Sequence, residues 1–387
     1  MAHREIIDIK RLAFGGDAVG NLSNGKIVLV PGALPGETVE IALWQDKKNF
    51  ARGKLLQILT PSPDRRKPAC PYFSSGCPGC AYLHTSYEQE LFWKQQQLKF
   101  FLRRQLTTAN LAEPVAAPQR LNWRNKLVLH CRNGQCGYLG TDNVSLVPLR
   151  QCRLGRPELN ELLKSAAIPE SGKIELRYTE ANGALQYDFA GPPALRLTEF
   201  LPGIGSFDVP AGGFFQTNIA VATQLVAETT AEMAQHDISR LLELYCGVGV
   251  FSIAGAERIP ELVAVGCEQN AAAVAAAKDN AVKHGVADRC RFVAADAAAF
   301  LATLMREETP QALLVDPPRA GLSPQAIAGI LKLKPQLIFY ISCGPDTLAR
   351  DLNRLEADYH LESARLFDMF PGTAHFETLT ILRNKTR

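Results

Sequence analysis

Leu337-Ile338-Phe339-Tyr340-Ile341-Ser342-Cys343-Gly344-Pro345 is the stretch whose reading decides the fold. An apolar run rich in β-branched and aromatic residues stops at a thiol, and Gly-Pro follows at once. That is the form of a buried parallel strand delivering one cysteine to the carboxyl edge of a sheet, where open α/β folds place their chemistry. Cys343 is therefore a candidate nucleophile. The alternative is a structural thiol packed like a small hydrophobe.

Working outward, other strands end alike. Leu241-Leu242-Glu243-Leu244-Tyr245-Cys246-Gly247-Val248-Gly249 runs through a Gly-x-Gly turn into a helix, which lets backbone approach a ligand at the helix N-terminus. Leu262–Glu268 and Arg291–Asp296 are two more strands closed by acids, and such acids suit ribose hydroxyls. The glycine run lacks the third glycine of the NAD pattern, which argues for S-adenosylmethionine. Structural capping is the alternative for each acid. Ala312–Asp316 is followed by Pro317-Pro318-Arg319, a rigid acidic loop of the kind that base-modifying methyltransferases carry. Gly212-Gly213-Phe214-Phe215-Gln216-Thr217-Asn218 opens this C-terminal unit, and a helix follows from Ile219 to about Gln235. Phe370-Pro371-Gly372-Thr373-Ala374-His375-Phe376-Glu377 precedes the closing strand; Glu377 could simply cap that strand or pair with a cation.

Upstream, residues 1–60 read as short strands between turns such as Gly15-Gly16-Asp17 and Asn24-Gly25, an expected small barrel. Gly-x-Ala-Val-Gly followed by Val-Pro-Gly-x-Leu-Pro-Gly-Glu resembles the TRAM domain, an RNA-binding barrel. Cys70, Cys77 and Cys80 then lie within eleven residues broken by Pro and Gly, a loop able to wrap a metal. Cys152 is the best candidate for a fourth ligand, with Cys131 and Cys136 as competitors. Zinc and a 4Fe-4S cluster suit four thiolates equally on chemical grounds. Residues 86–106 read as a helix with Leu91, Leu98, Phe101, Leu102 and Leu106 on its apolar face, and with Lys94, Lys99, Arg103 and Arg104 available to RNA or solvent. The segment from 61 to 210 is expected to be a β-rich central domain holding the metal loop, and 211–387 the catalytic α/β domain.

The 387 residues carry a net charge of +3 that conceals an asymmetry. Residues 61–156 hold 14 Lys+Arg against 5 Asp+Glu, while 157–387 hold 20 against 28. A basic front suggests a polyanionic partner, most simply nucleic acid. No run is long and apolar enough to span a bilayer, and Met1-Ala2-His3-Arg4 begins no apolar signal core, so a cytoplasmic protein is expected. Ten cysteines in that compartment point to metal or catalytic roles rather than disulfides.

Taken together, these motifs resemble the RNA uracil-5-methyltransferase family over nearly the whole chain. The resemblance implies a TRAM-like barrel, a central iron–sulfur domain and a Rossmann-like methyltransferase domain. It implies a 4Fe-4S cluster on Cys70, Cys77, Cys80 and Cys152, and S-adenosylmethionine held by Gln216, Tyr245, Gly247, Glu268, Asp296 and Asp316. It also implies Cys343 as nucleophile and Glu377 as the base that removes the proton from carbon 5. Two positions depart from the family pattern: Gly344 stands for an asparagine and Gly372 for a frequent glutamine. TRAM and the cysteine loop resemble the 23S ribosomal RNA members more than the transfer RNA members. A cytosine enzyme would carry its cysteine in a Pro-Cys loop, which Pro317-Pro318 lacks. A non-catalytic iron–sulfur RNA-binding module would have no use for Cys343 with Glu377.

Overall fold

The computed structural model describes residues 3–106, 109–189, 195–304 and 310–386. At the N-terminus, Arg4–Leu12, Ala18–Asn21, Ile27–Val30, Thr38–Asp46 and Phe50–Thr60 close into a five-stranded barrel. Ile7, Ile9, Val28, Val30, Val39 and Ile41 alternate inward and are almost fully buried, as period-2 patterning requires. The expected barrel is there.

In the middle, Lys126–Arg132, Gln135–Leu139, Leu146–Pro148, Ser171–Thr179 and Gly183–Asp188 form an antiparallel five-stranded sheet backed by the helix Pro157–Ser165. Cys131 and Cys136 face each other across its first hairpin and are joined as a disulfide. This corrects the expectation that the cysteines would all be free, and removes both from the competition for a fourth metal ligand.

The C-terminal sheet has eight strands, and Leu337–Ser342 is near its middle with all six residues buried. Its parallel neighbour Ala312–Val315 is wholly buried and apolar, and beyond it Arg240–Leu244 is buried from Leu241 onward, because helices cover both faces. Glu377–Asn384 and Tyr359–Phe367 add antiparallel strands. The edge beyond them is closed by a two-residue strand, Asn110–Leu111, from far upstream. Among the described residues no helix is long and apolar enough to cross a membrane.

The helix expected over 86–106 spans Tyr87–Phe101, capped by the Ser86 side chain. Its buried face differs from the expected one. Glu90, Lys94 and Gln97 are buried along with Leu98, whereas Leu91 and Phe101 are only partly covered. Lys94, expected at the surface, is wholly inaccessible. Burying charge in this way is tolerable only where each group is paired, and these are.

Candidate active site and cysteine cavity

Sheet register alone assembles a row of functional groups. Leu244 pairs with Cys267 on one side and Val315 on the other; Glu268 pairs with Ala294; Val315 pairs with Tyr340. The residues just past these pairs therefore share the carboxyl edge in the order Asp296, Glu268, Tyr245, Asp316, Cys343. Ser342 pairs antiparallel with Thr378, so Glu377, one residue earlier on that strand, faces Cys343.

The loop after Leu244 is built for close approach. Tyr245 has φ 64°, a left-handed conformation that costs a non-glycine residue strain and so marks a functional position. Gly249, with φ 85°, has no room for a Cβ, which would come within 2.7 Å of Phe292 Cζ. A cavity opens here, lined by Phe214, Gln216, Glu243, Tyr245, Gly247 and Asp316 among others. Glu268 and Asp296 lie off this cavity. Glu268 accepts from the backbone N–H of Gly247 at 3.2 Å and of Asn270 at 2.8 Å. Asp296 caps the next helix by accepting from Ala299 N at 2.9 Å. Capping leaves free lone pairs on both carboxylates, so it does not preclude a ligand role.

Glu243, the acid near the end of its strand, is not among the residues expected to hold the donor. It is buried, accepts from the Ser252 backbone N–H at 2.9 Å and from its hydroxyl, and burial raises its pKa to about 8. The signal was available: an acid inside an otherwise apolar parallel strand.

Around the thiol, burial dominates. It raises Cys343 to about 11, with the charge of Glu377 adding to the rise and Arg319 opposing it. Burial raises Asp316 to about 7. Glu377 is pushed well above the usual carboxylate range by burial and then by Asp316, against the pull of Arg319. Its Oε2 is buried without a hydrogen-bond partner. Arg319, the last residue of Asp-Pro-Pro-Arg, is thus a cation acting on both the Cys343 thiol and the Glu377 carboxyl.

The two departures have local explanations. Gly372 has φ +80°, and a Cβ would come within 3.0 Å of Leu83 Cδ2 and 3.3 Å of Leu154 Cδ2. A glutamine there would be strained. Gly344 caps the helix Pro345–Leu355 without a side-chain hydrogen bond, at a φ of −131° that any residue adopts. Losing an asparagine cap to glycine costs only a few tenths of a kcal/mol.

Cys70, Cys77, Cys80 and Cys152 are all free and line one small cavity, with Arg124 and Tyr138 in its wall. The cysteine loop meets the segment before Pro157 through Tyr72 Oη, which accepts from Arg150 N at 2.9 Å, and the Asn160 side chain holds Cys152 N and O in place. Arg124 Nε and Tyr138 Oη are buried without partners. Among the described residues no three metal-ligating side chains gather closely enough to hold a single ion.

Comparison with known proteins bears on both sites. Residues 206–385 match the family described as tRNA (uracil-5-)-methyltransferase, and residues 5–56 match the TRAM domain. The 23S rRNA (uracil(1939)-C(5))-methyltransferase of Shewanella amazonensis is 32% identical over 98% of this chain and 96% of its own length. An uncharacterized RNA methyltransferase of Thermotoga maritima is 28% identical over 98% of each chain. Among solved structures, the Pyrococcus abyssi tRNA (uracil-54, C5)-methyltransferase in complex with S-adenosyl-L-homocysteine is similar in fold, with a TM-score of 0.73 over 97% of this chain and 99% of its own at 23% identity.

Proposed function

Because the chain belongs to the RNA uracil-5-methyltransferase family, we propose that it methylates carbon 5 of a uridine in large-subunit ribosomal RNA. Uracil-5 methylation of RNA from S-adenosylmethionine is its activity; ribosomal rather than transfer RNA is the reading that relatives of 32% and 30% identity support. The observation that carries the chemistry is Cys343 opposite Glu377 at one sheet edge.

Carbon 5 of uracil is too weak a nucleophile to take a methyl group unaided. Cys343 as thiolate forms a bond to carbon 6, which makes carbon 5 electron-rich. S-adenosylmethionine, when bound, supplies a methyl activated on a sulfonium to that carbon. Glu377 then removes the carbon 5 proton; the pair left behind restores the C5–C6 double bond and expels the thiolate. The cavity beside the glycine loop fits a cationic donor, since it sets desolvated Glu243 and Asp316 among Phe214, Val248 and Phe251. Gln216, Tyr245, Gly247 and Asp316 would hold the donor, with Glu268 and Asp296 reaching from the same edge. The ring faces must be accessible, so the target base is flipped or lies in a loop.

Cys70, Cys77, Cys80 and Cys152 are proposed to hold a 4Fe-4S cluster. Four thiols lining one cavity could ligate a cluster, the loop holds a single Cys-x-x-Cys pair where zinc sites usually show two, and Arg124 in the wall suits an anionic group. The barrel, the region 61–210 and the region 211–387 are proposed as RNA-holding, cluster-bearing and catalytic domains, in a cytoplasmic protein. Protein purified without oxygen is expected to hold ~4 irons per chain. Cys152→Ser should lose the iron and its visible absorbance; stoichiometric zinc in the wild type would refute the cluster.

The test of substrate and chemistry uses ribosomal and transfer RNA containing 5-fluorouridine, with S-adenosylmethionine, read on a denaturing gel. Fluorine does not leave as a proton does, so the adduct is held. A band with ribosomal RNA supports the reading, and sequencing the trapped RNA names the uridine. A band with transfer RNA alone would move the substrate to the class that the matched family's description names. No band with either would overturn the covalent route.

A further inference from the structure

The turn at 368–373 stands just before Glu377, and separate parts of the chain hold it. Asn218 Nδ2 donates to Met369 O at 3.2 Å, and Trp123 Nε1 to Pro371 O at 3.2 Å. The backbone N–H groups of Ala81 and Tyr82, at the exit of the cysteine loop, donate to Gly372 O at 2.8 and 3.0 Å. Gly372 N donates to Glu90 Oε1 at 2.5 Å.

Beneath the turn lies a closed charge cluster. Lys94 Nζ donates to Glu90 at 2.8 Å, to Asp368 at 2.7 Å and to Phe370 O at 3.2 Å, and all three charged side chains are fully buried. Arg120 pairs with Glu90 at 2.9 Å, and Tyr87 Oη donates to Asp368 at 2.8 Å. Two cations meet two carboxylates, so the cluster is neutral as a whole. An apolar cluster of the same volume would stabilise the fold as well or better, so a stability role does not account for it. Its directional bonds specify one placement of the turn relative to the Tyr87–Phe101 helix.

That placement bears more directly on one catalytic group than on the other. Glu377 is the first residue of the strand that follows the turn, so a displaced turn displaces Glu377. Cys343 follows a different strand, held by its parallel neighbour on one side and by the Glu377 strand on the other, and continued by its own helix. We propose that Glu90, Lys94 and Asp368 are positioning residues that aim Glu377, and that they act on removal of the carbon 5 proton rather than on thiol addition. The inference rests on the reaction assigned above.

The test uses full-length Asp368→Asn, Glu90→Gln and Tyr87→Phe, which keep side-chain volume; Lys94→Met is the harsher companion. A base misplaced by ~1 Å loses up to ~100-fold. The Asp368→Asn and Glu90→Gln enzymes are expected to lose about tenfold or more in steady-state turnover, with KM for RNA little changed. Methyl incorporation in the first turnover should stay within about twofold, and RNA with ordinary uridine should leave a methylated covalent protein–RNA band that the wild type does not show. Tyr87→Phe, which keeps both ion pairs, should restore most of the turnover. A merely structural cluster would slow both halves together and leave no band, which would overturn the proposal. The wild type with 5-fluorouridine RNA separates the two levels. If it gives no adduct, the assigned reaction fails. If it does and no variant accumulates the ordinary adduct, the positioning role alone fails.

Discussion

Replacing Cys343 by alanine is expected to abolish 5-methyluridine formation, with turnover down by at least ~10⁴-fold and the 5-fluorouridine adduct gone. S-adenosylmethionine affinity should stay within about twofold, because the donor cavity is lined by residues of other strands. The reason is electronic. Without a bond at carbon 6, carbon 5 has no electron density to offer, and no neighbouring group can substitute. The same thiol carries a pH signature. Burial and then Glu377 raise it to about 11, so in the free enzyme at pH 7 only ~1 in 10⁴ molecules holds a thiolate. Alkylation of Cys343 by iodoacetamide should therefore speed up about tenfold per pH unit between pH 7 and 10. A flat profile would mean that the free thiol is already ionised.

Glu377→Gln should arrest the enzyme after methyl transfer. Its single-turnover incorporation is expected to survive, while steady-state turnover falls ~10²–10⁴-fold and methylated adduct accumulates on ordinary RNA. The stability effect has the opposite sign. Burial and Asp316 raise the Glu377 carboxyl well above its unfolded value, so the folded state binds more protons than the unfolded one. That contribution is fully present in acid and is lost as pH rises through the folded pKa. Glutamine mimics the protonated form, so the variant should melt no lower than the wild type at pH 5 and higher at pH 8. A lower melting temperature at pH 8 would show Glu377 ionised and paired instead.

The site was legible in the sequence wherever an apolar parallel strand breaks off at a polar group. Asp316 and Cys343 stand out because both faces of the strands before them are buried, so those runs are almost wholly apolar, with Tyr340 and Ser342 the exceptions. Glu243 could be read only as an acid near the end of its strand; that Ser252 holds it inside the run is visible in the fold alone. On the Tyr87–Phe101 helix the expected Leu98 and Leu102 are buried, but Glu90, Lys94 and Gln97 beside them were missed because periodicity assumes that buried means apolar. Its Lys94 is buried by a partner 274 positions away, Asp368, and nothing local announces such a pair. The Cys131–Cys136 pair was hidden for a similar reason: a spacing of five residues says nothing until a hairpin sets the two opposite each other.

The two-residue strand Asn110–Leu111 has a consequence for the way this protein can be taken apart. The family match begins at residue 206, yet one hydrogen-bonding edge of the catalytic sheet is covered by residues encoded almost a hundred codons earlier. A fragment cloned from that point would carry every reacting group and still expose the flank of Tyr359–Phe367, an invitation to stick to its own copies. Heredity has treated the C-terminal part as a module; solubility does not.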